Sequence, residues 1–264
     1  MISSSPGFVR YFSFDNMHAA GVIQAIFTRR GGVSMAPFAS LNTGGTVGDD
    51  PQAVAENRKR CFSSKDCDIQ SLFDVWQVHS TDVVIAEAPR SPGTPHQKAD
   101  IILTDRPGVT LFMRFADCVP IFLVDPVRRA IGIAHAGWVG SVARVASVAV
   151  QAMIRQYQCR PEDIQAGIGP SIGVEHYPVG EDVIAQVKRS YPSDFKRLLI
   201  DYSDGVHFDL CKANRISLEE QGISHIEESG ICTACHLEDW FSHRGEAGKT
   251  GRFGALLALK AVST

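Results

Sequence analysis

Short apolar runs separated by turn residues recur along the chain, and they predict its main strands. The runs VTLFMRF (109–115), PIFLVDP (120–126) and AIGIAHA (130–136) have the continuous hydrophobic pattern of strands that are buried on both faces. DVWQVH (74–79) and DVVIAEA (82–88) predict two further strands joined by a tight turn. The polar, proline-rich segment 88–100 predicts a surface or active-site loop.

Helical patterns alternate irregularly with these strands. Asp50 and Pro51 are typical of the N-cap and first residue of a helix. Residues 140–157 predict one apolar helix of about five turns, and residues 209–223 predict an amphipathic helix that stops at Gly222. Because strands and helices do not alternate strictly, the pattern favours a mixed-sheet α/β sandwich rather than a doubly wound fold, in a single domain over residues 1–264.

Charge and hydropathy exclude several classes of partner. The net charge is -3 and the pI is about 6.3, which gives no electrostatic basis for binding nucleic acid or an anionic membrane. The N-terminus has no basic segment followed by an apolar one, so no secretory signal is predicted. No run approaches the roughly 18 apolar residues that span a bilayer. We therefore expect a cytoplasmic protein.

The seven cysteines are scattered, so in a reducing compartment they are thiols or metal ligands. Cys232, Cys235 and His236 have the spacing C-x-x-C-H, which fits a haem attachment site, a redox pair or half of a zinc knuckle. Haem attachment needs export, and a knuckle needs a second ligand pair that the neighbouring sequence does not supply. The pattern favours two small buried thiols and a loop histidine.

Three other residues form a candidate metal site. His79, Cys118 and His135 each lie where an expected strand gives way to a turn, so they can converge at one edge of a sheet. Two imidazoles and one thiolate suit zinc, and three protein ligands leave a fourth position open. Histidines and cysteines at strand ends are often only packed and hydrogen-bonded, so spacing alone leaves both interpretations open.

Longer motifs extend along the chain. They are FTRRGGVS (27–34), SLNTGGTVGDDPQAVAENRKR (40–60), WQVHSTDV (76–83), ADIILTDRPGV (99–109), ADCVPIFLVDP (116–126), IAHAGWVGS (133–141), GIGPSIG (167–173), FDLCKANRISLEEQGI (208–223), CT (232–233) and FSHRGEAGKTGR (241–252). In content and order they resemble the laccase-domain family, the YfiH/YlmD-type proteins also described as multicopper polyphenol oxidases and purine nucleoside phosphorylases. The resemblance covers about residues 20–260. It implies a fold like the catalytic domain of the cytotoxic necrotizing factor toxins.

The resemblance implies a zinc site at His79, Cys118 and His135, with copper as the alternative ion. The implied activity is zinc-dependent phosphorolysis of purine nucleosides and deamination of adenosine, with a small nucleoside and phosphate as substrates. Cys232 falls at the family's CT position, so the C-x-x-C-H match is expected to be accidental.

Further site residues are proposed around the metal. Asp117 adjoins Cys118 and is a candidate acid/base, with a supporting or turn-capping role as the alternative. Cys118 is also a candidate catalytic residue. Arg30 and Arg252 lie beside glycines that would let backbone amides approach an anion, although a solvated surface charge fits them equally well. The candidates for phosphate and nucleoside contacts are Arg30, Asn42, Arg58, Gln77, Arg244 and Arg252.

The chain departs from the family pattern near these positions. Val139 and Gly245 stand where the family typically has arginine, which removes two groups able to bind phosphate bidentately. Other departures are Ser171, His176, Pro178 and His243. Since the metal ligands are kept, we expect phosphorolysis to be impaired more than deamination.

Two other function classes remain open. A copper polyphenol oxidase is suggested by the family description, and blue-copper centres do use His₂Cys ligation; multicopper oxidases, however, need many more histidines, and the nine here show no H-x-H clusters. A metal-free hydrolase would use Cys118 as nucleophile and His135 as base. The toxins named above use such a pair, and some family members are linked to editing of peptidoglycan precursors. Metal analysis separates the three classes.

Overall fold

Two mixed β-sheets lie face to face in the computed structural model, which describes residues 2–4 and 9–261. The first sheet has the strand order β1 (Ile2–Ser4), β2 (Arg10–Phe12), β3 (Val22–Phe27), β14 (Phe253–Leu259), β7 (Thr110–Phe115) and β4 (Leu72–Phe73). The second has the order β13 (His225–Glu228), β10 (Gln165–Ile168), β8 (Val119–Asp125), β9 (Ala130–Ala136), β6 (Ile101–Thr104) and β5 (Val83–Ile85). β11 (Leu199–Tyr202) and β12 (Gly205–Phe208) form a separate ribbon.

Helices cover the outer faces of both sheets. They are α1 (Pro51–Ser63), α2 (Trp138–Val142), α3 (Val145–Tyr157), α4 (Glu181–Ser190), α5 (Phe195–Leu198) and α6 (Leu210–Glu219), with short 3-10 helices at Ile69–Ser71, Pro161–Asp163 and Val174–His176. α1 packs on the first sheet, and α3 and α6 pack on the second. The fold is the expected mixed-sheet α/β sandwich in a single domain. No helix in the described part of the chain is both long and apolar enough to cross a bilayer.

Alternation along the central strands explains the apolar runs. Leu111 and Met113 of β7 pack between the sheets, against residues such as Phe122 of β8, whereas Phe112 points to the other side and packs against Phe62 of α1. β8 alternates in the same way, with Ile121 facing the helices. Since both faces of each strand are buried, hydrophobic residues occupy most positions, as predicted for β7, β8 and β9, and polar residues such as Arg114, Asp125 and His135 lie near the strand ends.

The strand predicted at 74–79 is wrong, and so is its hairpin. β4 ends at Phe73 and pairs parallel with β7 of the first sheet, while β5 pairs parallel with β6 of the second. The chain between them crosses from one sheet to the other. The Gln77 side chain both donates to and accepts from the backbone of Arg114, at 2.8 and 3.0 Å, so a side chain occupies hydrogen-bonding groups that a strand would use.

The helix predicted over 140–157 is interrupted. α2 ends at Val142 and α3 begins at Val145, because Arg144 takes a left-handed conformation with φ 61°. Its guanidinium lies 3.8 Å from the Tyr191 ring centroid and pairs with Glu220. These tertiary contacts offset the conformational free energy of the left-handed backbone at Arg144, which the apolar pattern does not reveal.

Of the other two helix predictions, one gives the correct start of its helix and the other places the end too late. The start of α1 is confirmed, since the Asp50 carboxylate accepts a hydrogen bond from the amide of Gln52 at 3.1 Å and Pro51 is the first helical residue. α6 ends at Glu219, three residues before the predicted stop at Gly222, which has φ 85° in the turn that follows.

Candidate metal centre

Segments that pass between the two sheets bring three side chains to one end of the sandwich. Cys118 lies between β7 of the first sheet and β8 of the second, and His79 lies in the crossing between β4 and β5. His135 is the penultimate residue of β9 and pairs in register with Pro120 at the start of β8. Its ring centroid lies 5.3 Å from that of Phe115, at the end of β7.

The three side chains form a compact donor set. One ligand atom from each of His79, Cys118 and His135 lies within 4.8 Å of the other two. The Cys118 sulfur is 3.9 Å from Nε2 of His79. Tetrahedral zinc would hold such a sulfur and nitrogen about 3.5 Å apart, so the set fits the ion with small movements.

A residue that the sequence analysis missed, Asp100, supports two of the three ligands. One carboxylate oxygen lies 2.7 Å from Nδ1 of His135. The other accepts hydrogen bonds from the amides of Val78 and Ser80, on either side of His79, at 3.1 and 2.6 Å. Asp100 is fully buried. Its position just before a buried strand, within the ADIILTD motif, was the only available signal.

Because Nδ1 of His135 faces the Asp100 carboxylate, it carries a proton, and Nε2 is the nitrogen that could bind a metal. Burial by itself would lower the pKa of His135, but the neighbouring Cys118 and Asp100 raise it above its usual value. Conversely, burial opposes ionisation of Cys118, yet His135 and His79 lower the pKa of the thiol well below its usual range. The site therefore favours a thiolate, which is the form that binds metals.

Backbone conformation around the ligands is strained. His79 and Asp117 both have left-handed φ angles, 62° and 80°, which non-glycine residues adopt rarely. Gly137 packs directly against the ligands, and a Cβ there would lie 2.9 Å from Cδ2 of His79 and 3.1 Å from the sulfur of Cys118. The tight packing holds the donor atoms in place.

Asp117, a predicted acid/base, is occupied on both oxygens. One oxygen accepts from the Thr233 hydroxyl at 2.7 Å and the other from the amide of Arg244 at 2.7 Å. Its backbone carbonyl accepts from the amide of Ile172 at 2.9 Å. Asp117 thus joins three loops immediately beside Cys118.

Two of the predicted anion-binding arginines lie near this point. The Arg244 guanidinium is 5.0 Å from the Tyr177 ring centroid, and the Arg244 side chain is exposed. Burial raises the pKa of Tyr177, and Cys118 adds to the shift, so this phenol belongs to the same neighbourhood although the sequence analysis missed it. Burial lowers the pKa of Arg252, while Cys118 and Asp117 oppose that shift.

The side chains of the other predicted contact residues Gln77, Asn42 and Arg58 form hydrogen bonds within the fold. Gln77 is bonded to the backbone of β7, as described above. Asn42 is fully buried, and its side-chain oxygen Oδ1 accepts from the amides of Gly44 and Arg252 at 2.9 and 2.8 Å. Arg58 donates to the carbonyl of Thr43 at 2.9 Å and approaches Asp74.

Arg30 lies 3.2 Å from Asp239, in a cavity of about 310 Å³. Residues 29, 30, 39, 40, 237 and 238 line this cavity, and none of them is a proposed metal ligand. Arg30 is therefore placed apart from the three-ligand cluster.

Fold and site together define an α/β sandwich with a His₂Cys donor set at the crossings between its sheets. A family profile described as "Multi-copper polyphenol oxidoreductase laccase" matches residues 23–260. The chain belongs to this laccase-domain family.

Several relatives are similar to this protein along most of the chain. The protein named "Purine nucleoside phosphorylase" from Deinococcus radiodurans is 39% identical over 90% of this chain and 89% of its own length. "Purine nucleoside phosphorylase YlmD" from Geobacillus stearothermophilus is 36% identical over 91% of each chain. The crystal structure of YlmD from Geobacillus stearothermophilus superposes with a TM-score of 0.91 at 32% identity, covering 98% of this chain and 99% of that one. The structure of a Bacillus licheniformis hypothetical protein YfiH gives 0.90 at 34% identity, with the same coverage.

Proposed function

We propose that this chain is a zinc-dependent purine nucleoside phosphorylase that acts on inosine, adenosine and related nucleosides and also deaminates adenosine. The names of the relatives support the phosphorylase activity. The observation that carries the proposal for this chain is the meeting of His79, Cys118 and His135 near Arg244, whose exposed guanidinium donates only a long 3.4 Å hydrogen bond, to the Pro178 carbonyl.

The donor set suits zinc and leaves room for substrate. Two neutral imidazoles and one thiolate leave a net positive charge on Zn²⁺, and with a fourth position open the ion would supply a Lewis acid for a substrate oxygen or water. Asp100 keeps His135 in the tautomer that presents Nε2. Gly137 keeps space beside the sulfur of Cys118.

Phosphate has a candidate place next to this centre. The backbone amide of Arg244 donates a hydrogen bond to Asp117, which fixes the backbone that carries the Arg244 guanidinium close to Cys118. Arg252 lies in the same electrostatic neighbourhood. Guanidinium groups bind phosphate through paired N–H donors, which would hold the dianion against the ribose of a bound nucleoside. Tyr177, whose ring lies under Arg244, would restrict the motion of that side chain.

In this arrangement Asp117 is a positioning residue rather than the acid/base. Both of its oxygens already accept hydrogen bonds, from Thr233 and Arg244. A carboxylate that gives up either bond to take a proton would release one of the loops beside Cys118. Loss of Asp117 is therefore expected to act through the placement of Cys118 and Arg244.

The test combines metal analysis with two assays on purified protein. The zinc content per chain is measured, and inosine cleavage is assayed with and without phosphate. Adenosine deamination is assayed through the ammonia that it releases. Cys118→Ser should lose both zinc from this site and activity, whereas Cys67→Ser, at a half-buried thiol outside the site, should keep them. Phosphate-independent activity, or none with zinc bound, would contradict the phosphorylase proposal.

The anion contact has its own test. Arg244→Gln should raise the KM for phosphate about 10- to 100-fold, since a charge-assisted hydrogen bond contributes roughly 1.5–3 kcal/mol. Arg189→Gln, at an exposed arginine on α4, is the matched control. An equal phosphate KM in the two variants would place the anion elsewhere.

A second candidate is the metal-free hydrolase. It is favoured by the charge coupling of Cys118 with His135, which supports a thiolate beside an imidazolium. Protein from which a chelator has removed the metal would then keep its activity, and alkylation of Cys118 would abolish that activity. The copper oxidase alternative would require copper in the purified protein together with phenol oxidation.

A further inference from the structure

A second group of potential metal ligands lies outside the site described above. Glu175, His176, Cys232 and Cys235 each place one donor atom within 4.8 Å of the other three. His176 Nε2 lies 3.1 Å from the sulfur of Cys235, and that sulfur lies 3.5 Å from a carboxylate oxygen of Glu175. These are the two cysteines of the C-x-x-C-H sequence, joined by two residues from more than 50 positions earlier.

We propose that Glu175, His176, Cys232 and Cys235 bind a second zinc ion, in a structural site with four protein ligands. Thiolate and imidazole donors select zinc over magnesium or calcium, which prefer oxygen ligands. Four protein ligands leave no open position, which is the usual arrangement of structural rather than catalytic zinc. The inference is independent of the nucleoside chemistry proposed above.

Local structure supports the donor set. The amide of Gly173 donates to the sulfur of Cys232 at 3.1 Å, which fixes this donor atom relative to the loop that carries Glu175 and His176. A Cβ on Gly173 would fall 2.4 Å from the Glu175 carboxylate, so only glycine lets the carboxylate occupy this position. Because Glu175, His176 and Cys235 are exposed, an ion can enter from solvent.

His236 does not take part in the cluster, although it completes the C-x-x-C-H sequence. Its Nδ1 lies 3.3 Å from Glu238, and both side chains are more than half exposed. The histidine donor comes instead from the 3-10 helix Val174–His176. The sequence next to the C-x-x-C-H motif contains no second ligand pair, and the fold supplies one from a distant loop.

The proposed ion would join two loops that support the first site. Ser171 and Cys232 form a parallel β-bridge, and the amide of Thr233 donates to the carbonyl of Ser171 at 2.9 Å. Thr233, between the two cysteines, donates its hydroxyl to Asp117, which precedes Cys118. An ion held by Cys232 and Cys235 would therefore fix the loop that holds Asp117.

The test is the zinc content of purified full-length protein, prepared under reducing conditions and dialysed against zinc-free buffer. Wild type should retain close to two zinc ions per chain. Cys235→Ser and His176→Asn should each retain close to one, and His236→Asn, the matched control, should retain two. Cys118→Ser should also retain one, because it removes the other site.

Cobalt substitution provides a second readout that does not depend on stability. Thiolate-to-cobalt charge-transfer absorption should correspond to three thiolates in wild type and to one in the double variant Cys232→Ser/Cys235→Ser. Wild-type protein that binds one ion per chain after loading with excess zinc would overturn the proposal if Cys235→Ser keeps that ion and Cys118→Ser loses it. So would unchanged zinc content in Cys235→Ser, or a Cys232–Cys235 disulfide that persists under reducing conditions.

Discussion

Asp100→Asn is the most informative change at the candidate metal centre, because one buried carboxylate supports two of the three ligands. Asp100 accepts three hydrogen bonds, from Nδ1 of His135 and from the amides of Val78 and Ser80. The substitution keeps the size of the side chain and replaces one acceptor oxygen with an NH₂ donor. No orientation of the amide satisfies all three partners.

The two orientations fail in different ways. If the amide oxygen faces His135, the NH₂ group faces two backbone N–H donors and leaves them without an acceptor, at a cost of about 1–3 kcal/mol in folding stability. If the oxygen faces the amides of Val78 and Ser80, the NH₂ group faces Nδ1 and favours the tautomer with the proton on Nε2, the metal-facing nitrogen. Supporting carboxylates of this kind typically contribute 10–100-fold to metal affinity. We therefore expect zinc affinity at the three-ligand site to fall by that factor, or about 1.4–2.7 kcal/mol.

The measurement is a competition titration with a chromophoric chelator, together with thermal unfolding. Asp125→Asn is the matched control, since Asp125 is also fully buried and accepts two backbone amides, of Val127 and Arg128, both at 2.8 Å. Both amides donate to Oδ1 of Asp125, so the side-chain oxygen of asparagine can accept both bonds, and this variant should keep its stability and its zinc affinity. If Asp100→Asn binds zinc as tightly as wild type, the carboxylate does not set the tautomer of His135 and the reasoning is wrong.

Three further changes test other parts of the structure. Gly137→Ala should lower zinc affinity about tenfold, because its Cβ would press on His79 and Cys118, while its backbone φ of -76° suits alanine and limits the loss of stability. Val139→Arg, at a position 36% exposed on α2, should raise phosphate-dependent cleavage of inosine more than it raises adenosine deamination, because it restores a guanidinium. Asp74→Asn should lower the free energy of unfolding by about 3–5 kcal/mol at pH 7, because Asp74 is fully buried against Arg114 and Arg90 at 2.6 and 2.7 Å.

The Asp74 prediction also has a pH dependence. Burial alone would raise the pKa of Asp74, but Arg114, Arg90 and His96 hold it below its usual value. A lowered pKa in the folded state means that the ionised carboxylate stabilises the fold above the unfolded pKa of about 3.9. This contribution is lost as the pH falls through the folded value, so wild type and Asp74→Asn should converge in denaturant titrations below about pH 4.

Each of these results has an outcome that contradicts its argument. Unchanged zinc affinity in Gly137→Ala would mean that the ligands can move away from the added methyl group. If wild type already cleaves inosine at the same rate as Val139→Arg, position 139 does not bind phosphate. A stability gap for Asp74→Asn that persists at low pH would arise from packing rather than charge.

Sequence patterns were sufficient for the elements whose environment is uniform. β7, β8 and β9 are buried on both faces, so most of their residues are apolar and the strands are evident from the sequence. α1 begins where its cap predicts. The strand predicted at 74–79 was wrong and the helix predicted at 140–157 is interrupted, in both places because a side chain binds a distant partner: Gln77 with β7, and Arg144 with Tyr191. Local periodicity carries no information about such contacts.

The sequence by itself determined the fold class and pointed to His79, Cys118 and His135 as a candidate site, because strand ends and long family motifs consist of consecutive residues. Only the tertiary structure decided which side chains converge. Asp100 is 35 residues from His135, and Cys235 is 60 residues from Glu175. The physical reason is that donor geometry arises where loops from separate sheets meet, and a spacing along the chain does not fix a distance in space.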